Sequence, residues 1–350
     1  MFVFFRAMCY YIISMEEKER VNLFLKRNFY TTTDVAKVFL FALLLPILFS
    51  VIFSYIGYGI ASIAGVNFGE ESFVTVLYEN YLWFSIPYCL ISQITFVCMF
   101  FIYNKINKIS FSACKLKVKK LNVTTTILSA LLGIILVIGF YGLIEGCFKE
   151  LFSLGGMEVT NTPIPLDNFW WYLLNLLIFA VIPAFCEELI FRGVMYNGLK
   201  RGIGKVGAIF LSSLLFALLH QNIAQFIFPF IMGIVLSVVV EKTGNLFYAM
   251  IIHLFSNITT LTIEFLININ ALNLPTEIGA VYIVVSIILA LVVSALFVLF
   301  YFFYLKKQKV EEEKEVGEVS ENSIFFKKLP LLLYFGILLA VIVIVINAVI

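Results

Sequence analysis

Residues 173–192 have the sequence LLNLLIFAVIPAFCEELIFR, an apolar stretch long enough to cross a membrane that nevertheless contains the adjacent acids Glu187 and Glu188. A transmembrane helix needs about 20 predominantly apolar residues. An ionisable group at the centre of a bilayer costs at least about 2.5–3.5 kcal/mol on insertion scales, so groups that persist there are candidates for function. The stretch therefore predicts a helical membrane protein with a polar site inside the lipid.

The composition of the whole chain leads to the same fold class. Of its 350 residues, 62% are hydrophobic and 13% are charged, whereas soluble domains carry about 25% charged residues. The apolar runs are continuous rather than alternating, which excludes the pattern of a β-barrel. The six cysteines form no CxxC pair, so neither a disulfide framework nor a thiolate metal site is expected. We predict an all-α, polytopic transmembrane helical bundle.

Apolar segments of this kind recur along the chain and predict eight to nine spans. The segments are 38–63, 82–104, 126–146, 169–192, 204–220, 223–240, 245–267, 279–305 and 330–350. Spans four to seven form the predicted catalytic core, 169–267, which follows three N-terminal helices within 38–146. Residues 1–37 form a cytoplasmic or interfacial segment, and the charged residues 306–328 form a cytoplasmic linker before the last helix.

Lysine and arginine are unevenly distributed among the loops. They cluster in 105–120, 200–205 and 306–328, whereas 64–81 contains none. All three basic segments follow an even-numbered span, and basic loops remain on the cytoplasmic side of a membrane. The sequence therefore predicts a multi-pass protein of the cell membrane with a cytoplasmic N-terminus.

The chain has only two histidines, and both lie in apolar spans. At 1.5 Å rise per residue, Glu187 and His220 lie about 20 and about 22 Å from the basic turn that joins spans four and five. His253 and Asn257 lie roughly 12 and 18 Å from the cytoplasmic start of span seven. Three neighbouring spans can therefore bring an acid, two imidazoles and a carboxamide into one layer.

Helical periodicity decides which of these side chains share a face. Residues i and i+4 are neighbours on a helix, so Glu188 and Arg192 are expected to form an ion pair. Glu187 then points about 100° away and remains free. His253 and Asn257 are also four residues apart. Phe216 lies one turn before His220 and is positioned to form a wall of its site.

The residues permit acyl transfer to water. Glu187 is a suitable general base, and His220 can orient the same water. His253 and Asn257 can donate hydrogen bonds to an oxygen that becomes negative in a tetrahedral intermediate, where one donor is worth about 100–1,000-fold in rate. Alternatively, Glu187, His220 and His253 could be three zinc ligands with an open fourth position. The HExxH signature is absent, and we favour the reaction without a cofactor.

Three motifs resemble the CPBP family of intramembrane proteases, which includes CAAX prenyl endopeptidases and bacteriocin-processing enzymes of the Abi type. They are Glu187-Glu188-x-x-x-Arg192, Phe216-x-x-x-His220 and His253-x-x-x-Asn257, in order and in consecutive spans. The resemblance covers about 180–260. It implies a glutamate-type endopeptidase in which Glu187 is the base, His220 orients the water and His253 with Asn257 forms the oxyanion site. Glu188 and Arg192 would hold the site together.

The predicted function is hydrolysis of a peptide bond in a membrane-associated peptide or protein, either prenylated or bearing a leader. The expected partners are this substrate and the lipid bilayer, and nothing in the sequence indicates nucleic-acid binding. Three alternatives use the same residues: a zinc-dependent protease, a proton-coupled transporter and a non-catalytic, immunity-type binder. A transporter usually contains internal repeats, and the sequence shows none.

Overall fold

A computed structural model describes residues 27–69, 72–117, 121–138, 164–222, 226–271 and 329–349, together with 285, 288, 292 and 296. The predicted segments 279–305 and 306–328 therefore lie almost entirely outside the described residues, as do most of 1–37 and the end of span three. All structural statements below concern the described part of the chain.

The regular structure of these residues is helical, which confirms the predicted fold class. A single β-bridge, between Arg27 and Ile109, is the exception in the described residues. The helices are α1 (Thr32–Ile63), α2 (Phe73–Asn80), α3 (Leu82–Ile106), α4 (Val123–Leu136), α5 (Phe169–Asn175), α6 (Ile182–Glu188), α7 (Asn197–Leu218), α8 (Ile227–Thr243), α9 (Leu246–Asn268) and α10 (Leu331–Val349).

Four helical stretches of the described chain are long and apolar enough to cross a membrane. They are Thr32–Ile63, Leu82–Ile106, Phe169–Leu218 and Leu246–Asn268. Two shorter apolar helices are Val123–Leu136 and Leu331–Ile346. These helices support a multi-pass membrane protein, while the total of eight to nine spans remains a prediction.

The distribution of side chains is inverted relative to that of a soluble protein. On α1, the apolar residues Leu48, Ile52 and Ile56 are 51%, 47% and 55% exposed. Glu188 and Arg192, in contrast, are completely buried. Apolar residues outside and charged residues inside suit a bundle whose solvent is lipid.

Predicted span four and most of span five lie within the helical stretch Phe169–Leu218, which a break at Gly204 divides into two helices. Gly204 interrupts it with φ +77° and ψ 175°, a conformation that glycine adopts without steric cost. The break lies within the predicted basic turn 200–205. Glu241 of α8 holds this turn through ion pairs with Lys200 at 3.0 Å and Lys205 at 3.5 Å.

Two π-helical segments flank α6. They are Leu176–Val181 and Leu189–Tyr196. The sequence predicts a kink at Pro183, and the structure places the first π segment directly before it. Proline has no N–H to donate to the preceding turn, so a local change of helix type accommodates it. Because α6 ends at Glu188, both acids lie between the two irregular segments.

Backbone contact holds α9 in place beside the site. A Cβ atom built on Gly133 of α4 would lie 2.3 Å from the carbonyl oxygen of Ile252. Only glycine permits this approach, which fixes the backbone next to His253. The start of α9 is anchored as well, because Asn245 accepts a hydrogen bond from Phe247 N at 3.1 Å and donates one to Lys117 O at 2.9 Å.

Candidate active site

The predicted ion pair between Glu188 and Arg192 is present at the centre of the bundle. Arg192 Nη1 donates to Glu188 Oε1 at 2.7 Å, and both side chains are fully buried. The pair forms across the junction of α6 and the second π segment. It neutralises one of the two adjacent acids, as the four-residue spacing predicts.

His253 joins the two carboxylates. Its Nδ1 lies 2.9 Å from Glu188 Oε1, and its Nε2 lies 3.9 Å from Glu187 Oε2. An ionised carboxylate can only accept, so the proton of Nδ1 is donated to Glu188. The sequence had assigned His253 to an oxyanion site and gave no sign of its contact with Glu188. That contact fixes the orientation of the ring and turns Nε2 towards Glu187.

Phe216 contacts both imidazoles. Its ring centroid is 4.9 Å from that of His220 and 5.9 Å from that of His253, with both histidines edge-on. Arg192 Cζ lies 4.5 Å from the same ring, a cation–π contact. Phe216 therefore lies at the junction of the three motifs.

His220 is oriented by its own helix. Its Nδ1 lies 2.9 Å from the Phe216 carbonyl oxygen, and a carbonyl can only accept, so Nδ1 carries the proton of the neutral ring. The other ring nitrogen, Nε2, is then an acceptor. Phe216 contacts the rings of both His220 and His253, and His253 Nε2 lies 3.9 Å from Glu187 Oε2. The structure thus brings Glu187, His220 and His253 into one neighbourhood despite their separation in sequence.

Asn257 lies one turn beyond His253, but its carboxamide contacts the backbone of another helix. Its Nδ2 donates to the Phe179 carbonyl oxygen at 3.1 Å. Phe179 lies four residues before Pro183, which has no N–H to donate to that carbonyl. Asn257 supplies a donor from a neighbouring helix, as polar side chains do at irregular helical segments in membranes. The four-residue spacing to His253 predicts a catalytic role for Asn257 and did not identify this particular partner.

Gln93 is a member of the site that lies outside the three sequence motifs. It lies in α3, and its Nε2 donates to Glu187 Oε1 at 2.8 Å. Glu187 was expected to be free, and it instead contacts this amide. The only signal in the sequence was a carboxamide in the middle of the second apolar span, where polar groups are costly.

The described residues contain no group of three or more histidine, cysteine, aspartate or glutamate side chains arranged to hold a metal ion. In addition, the Nδ1 atoms of His220 and His253 are already engaged by Phe216 O and by Glu188. For either histidine, Nε2 is the nitrogen that could bind zinc. Zinc binding by Glu187, His220 and His253 stays a prediction.

A family model covers the part of the chain that contains all three motifs. Residues 169–259 match the model described as Rce1-like, the type II CAAX prenyl endopeptidases. The match confirms the resemblance to the CPBP intramembrane proteases and indicates a membrane-bound protease, a hydrolase acting on a protein or peptide. Comparisons with curated proteins and with solved structures found no match.

Proposed function

We propose that the chain is an intramembrane endopeptidase of the glutamic type, which hydrolyses one peptide bond of a membrane-associated substrate. The observation that carries the proposal is the environment of Glu187. Its carboxylate lies between the Gln93 amide at 2.8 Å and His253 Nε2 at 3.9 Å, within a bundle of apolar helices. The side chain keeps 13% exposure, while that of the neighbouring Glu188 is fully buried.

The chemical step begins with a water between Glu187 and His220. Glu187 takes one proton from the water as general base, and the oxygen attacks the scissile carbonyl carbon. His220 Nε2 accepts a hydrogen bond from the second hydrogen and so orients the attack. When the tetrahedral intermediate collapses, Glu187 returns its proton to the departing amine. Atoms and charge then balance: one water is consumed, and a carboxyl end and an amine end are formed.

The oxyanion that forms during attack needs a donor. His253 Nε2 provides one when the ring is protonated, and Glu188 on the opposite nitrogen stabilises the imidazolium. The Glu188–Arg192 pair acts through this bond as a support for the ring. Asn257, one turn further along α9, remains a proposed second donor, because its Nδ2 has two hydrogens and the bond to Phe179 uses one of them.

The substrate is proposed to reach the site from the cytoplasmic half of the bilayer or laterally from the lipid. This proposal follows from the basic loops, which predict a cytoplasmic N-terminus and a cytoplasmic turn at 200–205. A membrane-anchored segment, either prenylated or bearing a leader, can reach the site by either of these routes. The match to the CAAX prenyl endopeptidases supports a prenylated segment as the first probe.

Substrate trapping tests the proposal directly. In cells that express Glu187→Gln, one membrane-associated protein should accumulate uncleaved, whereas cells with the native chain should contain its shortened form. The variant keeps the shape of the side chain but cannot accept a proton from water. Comparative proteomics of the two membrane fractions, with a control in cells lacking the chain, is the measurement. Identical proteomes in all three samples would contradict the proposal.

Chelation separates the glutamic mechanism from the zinc alternative. We expect cleavage of the trapped substrate to persist, within about twofold, after exhaustive treatment of the purified chain with EDTA and 1,10-phenanthroline. The reason is that the proposed step uses only protein groups and water. Loss of activity that returns on adding Zn²⁺ would overturn the metal-free mechanism and leave the protease assignment intact.

A further inference from the structure

We propose that Gln93 is a positioning residue for Glu187, supplied by α3 from outside the segment that matches the protease family. This inference rests on the proposed function. It concerns a hydrogen bond of 2.8 Å between Gln93 Nε2 and Glu187 Oε1 that joins residues 94 positions apart. The matched segment begins at 169, so the three motifs do not contain every group that contacts the proposed base.

Gln93 and His253 approach different oxygens of the Glu187 carboxylate. His253 Nε2 faces Glu187 Oε2 at 3.9 Å, while Gln93 contacts the other oxygen, Oε1. One oxygen is therefore held by an amide, and the second remains directed towards the imidazole. A general base must be held in place in this way, because a misplacement of 1 Å can reduce the rate by roughly a hundredfold.

The Gln93 side chain is buried and makes one hydrogen bond in the described structure. Gln93 is 8% exposed, and its Oε1 has no hydrogen-bond partner among the described residues. The one bond, to Glu187, therefore couples the positions of these two side chains.

A hydrogen bond from a neutral amide favours the ionised form of a carboxylate. Ionised Glu187 is the form that can accept a proton from water, so the contact supports the function of the base as well as its position. The two effects predict different readouts for the loss of Gln93: a lower rate of cleavage, and protonation of Glu187 at a higher pH.

The test measures protonation of Glu187 independently of any substrate. The purified full-length chain is treated with dicyclohexylcarbodiimide, which modifies protonated carboxyl groups in apolar surroundings, across a series of pH values. Peptide mass spectrometry then quantifies labelling at Glu187. In Gln93→Met, which removes the donor at nearly constant volume, we expect labelling of Glu187 to extend to a higher pH than in the native chain.

Two controls accompany this variant. Thr95→Val also removes a buried polar group from α3, but that hydroxyl bonds only to Ile91 O of its own helix in the described structure, so the midpoint should stay at the native value. Glu188, bound by Arg192 and His253 rather than by Gln93, serves as an internal control on the same peptide. Gln93→Asn retains a carboxamide on a shorter side chain and should give a smaller shift in the same direction.

The outcomes distinguish this inference from the proposed function. Two results together support the role of Gln93 and the protease proposal. The labelling midpoint rises, and kcat on the trapped substrate falls by up to roughly a hundredfold while KM is nearly unchanged. A raised midpoint in a chain that cleaves nothing supports the contact and contradicts the protease proposal. Native labelling midpoints in folded Gln93→Met and Gln93→Asn would overturn the role of Gln93, whatever the activity. If Gln93→Met does not fold, Gln93→Asn decides the question alone.

Discussion

Glu187→Ala should abolish peptide-bond hydrolysis, lowering kcat by at least about 100–10,000-fold, while the helical bundle remains folded. The carboxylate is the only acid of the site that is not committed to a buried ion pair. Its removal deletes the proton acceptor and leaves the Glu188–Arg192 pair intact at 2.7 Å. Cleavage of the trapped substrate by purified chain is the measurement, and thermal unfolding in detergent reports the fold.

Glu79→Ala is a suitable control for this variant, because Glu79 is an exposed acid on α2, away from the site. Its activity and unfolding temperature should match those of the native chain.

His220→Ala and His253→Ala should also abolish cleavage. Combining Glu187→Ala with His253→Ala should cost little more than either change alone, since the groups act as a unit. Full activity of folded Glu187→Ala would exclude the glutamic mechanism.

Arg192→Met should reduce the free energy of unfolding by about 3–5 kcal/mol. The change leaves Glu188 without its cation in a position where both side chains are fully buried. It also removes the cation–π contact with Phe216 at 4.5 Å. The expected result is a lower unfolding temperature and a lower yield of folded protein from membranes.

A second substitution separates loss of charge balance from loss of packing. Glu188→Gln in the Arg192→Met background removes the unpaired charge and should restore a large part of the stability, although not the activity, because His253 loses its carboxylate partner. Lys205→Met is the matched control. Lys205 also forms an ion pair, but it is 55% exposed, so the loss should be about 0–1 kcal/mol. Equal losses in Arg192→Met and Lys205→Met would contradict the importance of the buried pair.

Local periodicity was sufficient to predict the fold class and part of the site. Four-residue spacing gave the Glu188–Arg192 pair, and apolar run length gave the helices. Both depend on neighbours within one helix, and these are determined by the sequence itself. The rise per residue also predicted similar membrane depths for Glu187, His220 and His253, and the structure places these three residues near one another.

The contacts between distant helices could not be predicted in this way. Gln93 and Glu187 meet because α3 packs against α6, and no spacing within one helix encodes that packing. The bond from His253 to Glu188 depends on the rotation of α9, which the close contact at Gly133 fixes. The π-helical segments were also missed. Each widens a turn, and the signal for such a change is weaker than the hydrophobic pattern that surrounds it.

The bond between Asn257 and the Phe179 carbonyl has a consequence for how this protein and its relatives can diverge. Pro183, four residues further along, has no N–H to offer this carbonyl, and Asn257 donates to it from another helix. A descendant that replaced Pro183 by a residue with an N–H would supply that donor within the helix itself. The Phe179 carbonyl would then no longer need the carboxamide of Asn257. Positions 183 and 257 should therefore change together over evolutionary time. Selection on one position would thereby alter which substitutions the other tolerates.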